Sequence, residues 1–494
     1  MTPLVATGLF LLVLVYFVGR YSDIKGSKIP VVSLCRWLPD FANRLLYFFN
    51  GPALIHEGYK KYKDVPFYIL KPDADMIVLP AKYLKEIRSL PGTTISLIDA
   101  QFDSICGDYL NILSDSNLSA HTVSKKLTPA IPRIVPKIVN ELEHAFDVEV
   151  PECNGRWTSV YLYHMILKLI NRSTSRIVVG DVLCRNEDWL NIVLDYSHDL
   201  AIVMMIIRPF PKLLRPYIAK LLPSVRRLKQ TFKRAEDIFV PMIIERREAE
   251  ASNPNFKKPD DFMQWMMDSA DNEYDRKPEN IAKGLMIIQV LGIVHTSTML
   301  ITQSLYDLII RPEYLAPLRL EIMDSLSSGW AKATSPRLAS QRRLDSFLRE
   351  SQRLTPTSEI NVQRFVREPI IFSDGFVLPK GALICFASGP IALDPAFVSN
   401  PETFDGFRWE TSSRTSLVAV SDTHLHFGYG RSACPGRMFG SYASKAILSR
   451  FIVEYDMKFE EGKEGKRPMN FRNGEQIFPN VLTKVLIRKT GVSA

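Results

Sequence analysis

The stretch that most constrains this chain is HFGYGRSACPGRMFG, from His426 to Gly440. Phe427, Gly428, Gly430, Cys434 and Gly436 stand at fixed offsets in it, with arginines on both sides of the cysteine. Glycine lets a backbone approach a flat group closely and adopt conformations closed to other residues. Pro435 and Gly436 read as a turn that opens a helix from Arg437 to about Glu454. Such a helix aims its first amides at the sulfur and lowers the thiol pKa. A thiolate so placed is a strong ligand for haem iron, into which it pushes electron density. The plainer reading is a buried cysteine in a glycine-rich turn, and that is the commoner fate of a lone Cys. Other stretches have to decide between them.

Two do. Ile281 to Ile310 is an almost unbroken helical pattern closed by Pro312, about 45 Å long at ~1.5 Å per residue. In its centre stands Gly292-Ile293-Val294-His295-Thr296-Ser297-Thr298. Polar residues there need a reason; bonding back to the i−4 carbonyl is the bland one. Further on, Leu344, Phe347, Leu348, Ser351 and Leu354 mark one helix face. Glu350 and Arg353 are neighbours at i, i+3 on the same helix. Alone, such a pair is usually a solvated surface bridge.

Taken in order, these stretches resemble the haem-thiolate monooxygenases of the cytochrome P-450 superfamily. The family's Phe-Gly-x-Gly-x-(His or Arg)-x-Cys-x-Gly is matched from Phe427 to Gly436. Ser432 stands where the family has a cation for a haem propionate, and Arg431 is the nearest substitute. The central helix matches (Ala or Gly)-Gly-x-(Asp or Glu)-Thr-Thr at Gly292 and Thr296, with Ile293 for the second glycine and His295 for the acid. The resemblance implies that Thr296 delivers protons during oxygen activation. It makes His295 a catalytic relay beside it, since His moves protons near neutral pH. The His-Thr pair is similar to filamentous-fungal members that oxidise terpenoids, ent-kaurene oxidase-like and indole-diterpene enzymes among them. FLRESQRL matches the family's Glu-x-x-Arg, and Phe404 to Trp409 its Phe-x-x-x-Arg-(Phe or Trp). Glu350, Arg353 and Arg408 are then expected as a buried triad locking the segment that leads to Cys434.

The fold so implied is mainly α with a small β region, a long central helix lying over a buried haem b. Cys434 is its axial ligand. Phe427, Gly428, Gly430, Arg431 and Gly436 form its loop, and Arg364 and Lys125 reach its propionates. Lys125 stands with His121 and Lys126 in a charged turn whose plainer reading is a solvated face. Phe102, Ile105, Gly292, Ser358, Ile360, Ile477 and Phe478 are expected to line a substrate pocket, with Glu359 facing either the pocket or solvent. Thr93 to Ile112, without period, is expected to roof that pocket. Phe67 to Leu79, two β-rich runs about Lys-Pro-Asp-Ala-Asp, reads as a hairpin.

The apolar, uncharged run from Pro3 to Gly19 spans about 25 Å as a helix, a short transmembrane span. A cleaved signal peptide is the rival, but no basic n-region precedes the run and no small-x-small site follows it. Residues 1–19 are therefore expected as an anchor, 20–40 as a hinge and 41–494 as the catalytic domain. Arg20, Lys25 and Lys28 keep that domain on the cytosolic side of the endoplasmic reticulum membrane. The net charge of +9 would suit nucleic acid. The chain has no zinc-ligand spacing, Arg-rich block or RNA-binding aromatic motif, and an anionic membrane or an acidic redox partner suits the charge as well. Six scattered cysteines without CxxC point to neither disulfides nor zinc. The resemblance implies NADPH as electron source through a cytochrome P-450 reductase, cytochrome b5 as a second partner, and a monomer acting on a hydrophobic small molecule. Two other readings use the same motifs: a haem-thiolate isomerase or dehydratase that needs no reductase, and a haem-binding sensor or carrier.

Overall fold

The long apolar helix sets the frame. In the computed structural model, which describes residues 29–491 apart from 36, 39, 111–115, 211, 412 and 464, it runs Pro278–Ile309. The expected anchor, residues 1–19, and the first part of the hinge lie outside the described residues. Pro278 occupies the first turn, where its missing N–H leaves no bond unmade. The helix is not uniform. Ile288–Val294 widens into a π segment, and α geometry resumes at His295. Its apolar residues Leu285, Val290, Ile301 and Leu305 share one large core with the helices Thr128–Glu149, Leu162–Val178 and Arg437–Glu454. By length and apolarity Pro278–Ile309 and Glu187–Ile207 could each cross a membrane, but half or more of each window is buried inside the domain. They are core helices.

The β region is a six-stranded sheet in the order Val31–Val32, Phe67–Leu70, Asp75–Val78, Leu383–Phe386, Asn361–Val366, Ile95–Ser96. Its hairpin is the one expected over Phe67 to Leu79, with Phe67 opposite Val78. The hairpin turn does not face solvent. Lys71 Nζ lies 3.0 Å from Glu475, and Arg208, just past the helix Glu187–Ile207, bonds Asp73 at 2.8 Å and Glu475 at 2.6 Å. Tyr47 donates to Glu475 at 3.0 Å. Burying four charges is tolerable only because they pair, and the pairing ties three distant segments together.

The stretch expected as an aperiodic roof is partly helical: Leu97–Ser104 and Gly107–Leu110 follow the short strand Ile95–Ser96. Gly107 permits this turn, since a Cβ there would sit 2.3 Å from the Phe102 ring. Gln476–Phe478 forms a small hairpin with Phe471–Asn473. That hairpin meets the segment before Asn361–Val366 through Glu359 N–H to Glu475 O, 2.9 Å.

Candidate active site

The cysteine loop is wound by its glycines. Gly428 and Gly430 have φ of +79° and +66°, where a side chain is strained. A Cβ on Gly430 would also meet Arg88 Cγ at 2.7 Å. The Cys434 N–H donates to Phe427 O at 2.7 Å, closing the loop on itself. Gly436 has an ordinary φ, and a Cβ there would meet nothing nearer than Val123 at 4.0 Å, so the surrounding protein does not itself demand glycine at this place. The helix Arg437–Glu454 starts immediately afterwards. Its amides were expected to hold the thiol low. Burial instead pushes the Cys434 thiol up, and the Gly436 and Arg437 N–H groups and the Arg437 guanidinium pull only part of the way back. Metal coordination, rather than the helix, is what would remove that proton.

One turn along, Gly440 faces the central helix, its Cβ position 3.8 Å from Ser297 Oγ. Next to Ser297 the central helix opens. Gly292 and Thr296 are exposed while Ile293, Val294, Ser297 and Thr298 around them are buried. A Cβ on Gly292 would meet nothing nearer than Ile288 at 3.7 Å. Thr296 Oγ1 donates to Gly292 O at 3.2 Å, so its lone pairs remain for a partner in the opening.

His295 does not join Thr296 there. Its Nδ1 lies 3.5 Å from the Tyr163 hydroxyl on the helix Leu162–Val178, and its other neighbour is the Ser197 backbone. Burial pushes its pKa down to about 4. A step of about 100° round the helix separates it from Thr296, so it does not share the opening with the hydroxyl it was expected to serve as a relay.

Arg364, on the strand Asn361–Val366, is buried without a carboxylate among the described residues. It donates only to the carbonyl of its neighbour Gln363, at 2.7 Å, and desolvation pushes its pKa down to about 10. Lys125 and Lys126 are exposed on the π turn Val123–Leu127, and His121 is exposed on the short helix Leu118–Thr122 before it. That turn touches the cysteine loop through Thr128 Oγ1 to Pro435 O, 3.4 Å. Arg431 is exposed and Phe427 half-buried.

The three expected ion-pair residues do meet. Arg353 straddles Glu350 with Nε and Nη2 at 2.9 and 2.8 Å, and Arg408 Nε reaches Glu350 at 3.3 Å. Trp409 Nε1 and the Asp405 N–H also donate to Glu350, at 2.9 and 3.1 Å. Arg353 and Arg408 spend their remaining N–H groups on the carbonyls of Pro401, Ser399 and Thr403. The cluster thereby fastens an irregular segment that has no ladder of its own.

The pocket candidates are mostly turned into packing. Ile360 is fully buried among Tyr47, Leu54 and Phe67 in the core under the sheet, because it sits before a strand paired on both sides. Ser358 spends its hydroxyl on Ile360 O at 2.8 Å. Glu359 faces neither pocket nor solvent; it is buried and pairs with His56 at 3.1 Å. Ile477 is buried, and Phe478 leans on Phe471. Phe102 and Ile105 are half-buried.

Two residues went unnoticed in the sequence. Gln289 is fully buried in the π segment; its signal was a polar side chain one turn before Gly292. His426 has both ring nitrogens buried without partners, and burial pushes its pKa down to about 3; no pattern flags it.

A haem fits this arrangement. It needs a thiol in a loop wound tightly enough to admit a flat ring, an uncovered face opposite, and cations for its propionates. Cys434 between its glycines, the open Gly292–Thr296 face and the orphan Arg364 answer these in turn. When bound, a haem supplies the redox chemistry of O2, and the protein supplies orientation and proton access.

The chain matches the family model for Cytochrome P450 over residues 124–485. It is 42% identical to Cytochrome P450 monooxygenase paxP of Penicillium paxilli, covering 98% of this chain and 94% of that protein. It is 42% identical to Cytochrome P450 monooxygenase penP of Penicillium crustosum, covering 94% and 91%. To Cytochrome P450 monooxygenase AtmP of Aspergillus flavus it is 43% identical, covering 95% and 91%. The protein is therefore a member of the cytochrome P450 family, an oxidoreductase of mainly α fold whose cofactor is a haem held by a cysteine thiolate.

Proposed function

We propose that this P450 is a membrane-bound monooxygenase that inserts one atom of O2 into a hydrophobic secondary metabolite of the terpenoid class. NADPH supplies the electrons through a cytochrome P-450 reductase, and cytochrome b5 is a second donor. Cys434 is the axial ligand. Arg364 holds a propionate, and Lys125 or Arg431 serves the other. Glu350, Arg353 and Arg408 hold the fold around the loop rather than act in chemistry.

Thr296 is the proton-delivering residue. Its hydroxyl, already anchored to Gly292 O, holds a water in the opening and passes protons on from it. The observation that carries this reading is the paired exposure of Gly292 and Thr296 on an otherwise buried helix that Cys434's own helix touches at Gly440. An isomerase, dehydratase or carrier has no use for that hydroxyl. The terpenoid class rests on the resemblance carried by the His295-Thr296 pair, and likeness to the Penicillium and Aspergillus proteins supports a fungal monooxygenase. The uncharged run from Pro3 to Gly19 supports a single-pass anchor in the endoplasmic reticulum membrane, the domain facing the cytosol as a monomer.

The test is yeast expressing this chain with a reductase and fed lipophilic fungal extracts. An oxygenated product that requires the reductase is the expected result. A rearranged product formed without reductase or NADPH would overturn the monooxygenase reading.

A further inference from the structure

The π segment Ile288–Val294 has a cause and a consequence. Gln289, fully buried in it, points its Nε2 into the helix Leu162–Val178. There it lies 3.1 Å from Asn171 Oδ1 and 3.2 Å from each of Asn171 O, Thr174 Oγ1 and Ser175 Oγ. The same polar patch holds a third helix: Trp189 Nε1 donates to Ser175 Oγ at 3.0 Å, and Asn171 Nδ2 to Leu190 O at 3.0 Å. Gln289 is thus fixed at a junction of three helices.

Thr296 lies seven positions on. At ~100° per residue an unbroken α-helix would turn about 700° between them, leaving Thr296 within roughly 20° of the face of Gln289. The threonine would then face the protein, as Gln289 does. It is instead exposed in the opening, in line with Gly292. The wide turn, with hydrogen bonds to i+5, takes up one extra residue and so roughly 100° of rotation. Such bulges are rare and carry poorer backbone geometry, so something must hold them.

We propose that Gln289 is a positioning residue: its amide clamps the π segment, and the clamped segment turns Thr296 and Gly292 toward the haem side. This rests on the reading of Thr296 as the proton-delivering residue. Without the clamp the segment relaxes toward α geometry, and Thr296 turns out of the opening with the haem ligand untouched.

The experiment compares Gln289→Met, of similar length without hydrogen bonds, with Thr296→Ala and the double variant. Each is purified with haem and assayed with reductase, NADPH and a lipophilic fungal extract as substrate probe. Both single variants should keep the red-shifted ferrous-CO band and release at least three-fold more peroxide per NADPH. The double variant should be no worse than Thr296→Ala alone, since Gln289 acts through Thr296. Independently of turnover, amide hydrogen exchange in Gln289→Met should quicken at least three-fold over residues 288–296 and stay unchanged in 300–309. Should Gln289→Met not fold, Thr174→Val with Ser175→Ala removes two of the four acceptors and is held to the same readouts. Full coupling in the clamp variant, additive losses in the double variant, or exchange that quickens everywhere alike would each overturn the proposal. If Thr296→Ala itself stays coupled, the reading of Thr296 fails instead; local exchange still decides whether Gln289 holds the turn.

Discussion

Replacing Arg364 with methionine should move the haem-free and haem-loaded protein in opposite directions. Three buried arginines make no ion pair among the described residues, Arg215, Arg349 and Arg364, and of these Arg349 still has Asp345 and Glu350 in its neighbourhood. Arg215 donates to the carbonyls of Phe210 and Arg208. Arg349 donates to Ser416 O and lies 4.6 Å from the Trp409 ring centre. Arg364 has only the Gln363 carbonyl. Desolvation takes its pKa from the ordinary arginine range down to about 10. At ~1.4 kcal/mol per pH unit that is roughly 3 kcal/mol of destabilisation. The sign follows because both folded and unfolded pKa values lie above neutrality. The guanidinium is charged in both states at pH 7, and the penalty lifts only as pH rises through about 10. At 5% exposure, solvent screening offers little relief. Arg364→Met should therefore raise the unfolding temperature of haem-depleted protein, since an apolar replacement removes the desolvation cost. In the loaded protein the same change removes a charge-assisted bond worth ~1.5–3 kcal/mol. Haem transfer to an acceptor apoprotein should then speed up by roughly 10- to 100-fold. Thermal unfolding and Soret-monitored transfer measure the two arms. A haem-depleted variant that is less stable, with haem loss unchanged, would refute the argument, because Arg364 would then be a structural residue with no anion to meet.

Glu350→Gln leaves Arg353 and Arg408 buried without their carboxylate, which should cost ~3–5 kcal/mol; little protein with a ferrous-CO band should be recovered, and a normal yield would contradict the role given to the triad. Ser432→His restores the family's propionate cation and should slow haem transfer, by up to the ~1.5–3 kcal/mol of a charge-assisted bond; an unchanged rate would mean that Arg431 already fills the place. His295 and His426 are held neutral by burial, with pKa values near 4 and 3. Because these lie below the unfolded value of about 6.5, the unfolded chain takes up protons first. Stability should be full above about pH 6.5 and fall as pH drops toward 4, and His295→Gln should shrink that loss in denaturant titrations at pH 7.5 and pH 5. His295→Asp, although it restores the family's acid, puts a carboxyl beside Tyr163 with no cation, and should lower the unfolding temperature at pH 7.5.

What was legible in the sequence is what local spacing dictates. The helix that begins at Arg437 follows from Pro435 and Gly436, and the length of the central helix from its apolar period and Pro312. The hairpin follows from two β-rich runs about a turn. Glu350, Arg353 and Arg408 were legible only through likeness to the family, since Arg353 and Arg408 stand 55 positions apart and spacing says nothing across such a gap. What was not legible depends on phase and on distant partners. Ile360 looked like a pocket residue because its segment passes the site, but strand pairing on both sides turns it into the sheet core. Glu359 could not be placed until His56 was, some 300 residues away in the chain. Next to Thr296 in sequence, His295 points away round the helix, and which groups it meets there, Tyr163 and the Ser197 backbone, depends on helices that spacing cannot place. The helix separates neighbours, and the π segment shifts which of them faces inward.

The remaining regularity concerns charge. This domain buries many ionic groups, and nearly all are paired between segments that no backbone ladder joins. Lys71, Asp73, Arg208 and Glu475 tie a hairpin turn, a helix end and a second turn. Arg44 and Asp75 brace the same hairpin, Asp261 and Arg246 join the start of one helix to the body of another, and Lys445 on Arg437–Glu454 meets Asp345 on Arg342–Leu354, the helix that carries Glu350 and Arg353. A buried charge left unpaired costs several kcal/mol, so against this background a lone one is informative. Arg364 is such a charge, and Thr296, a hydroxyl offered to an opening inside an apolar helix, is its neutral counterpart. Arg364 and Thr296 are the groups a bound haem and its oxygen ligand would complete, and the Cys434 thiol, which burial pushes up, is the one a bound metal would deprotonate.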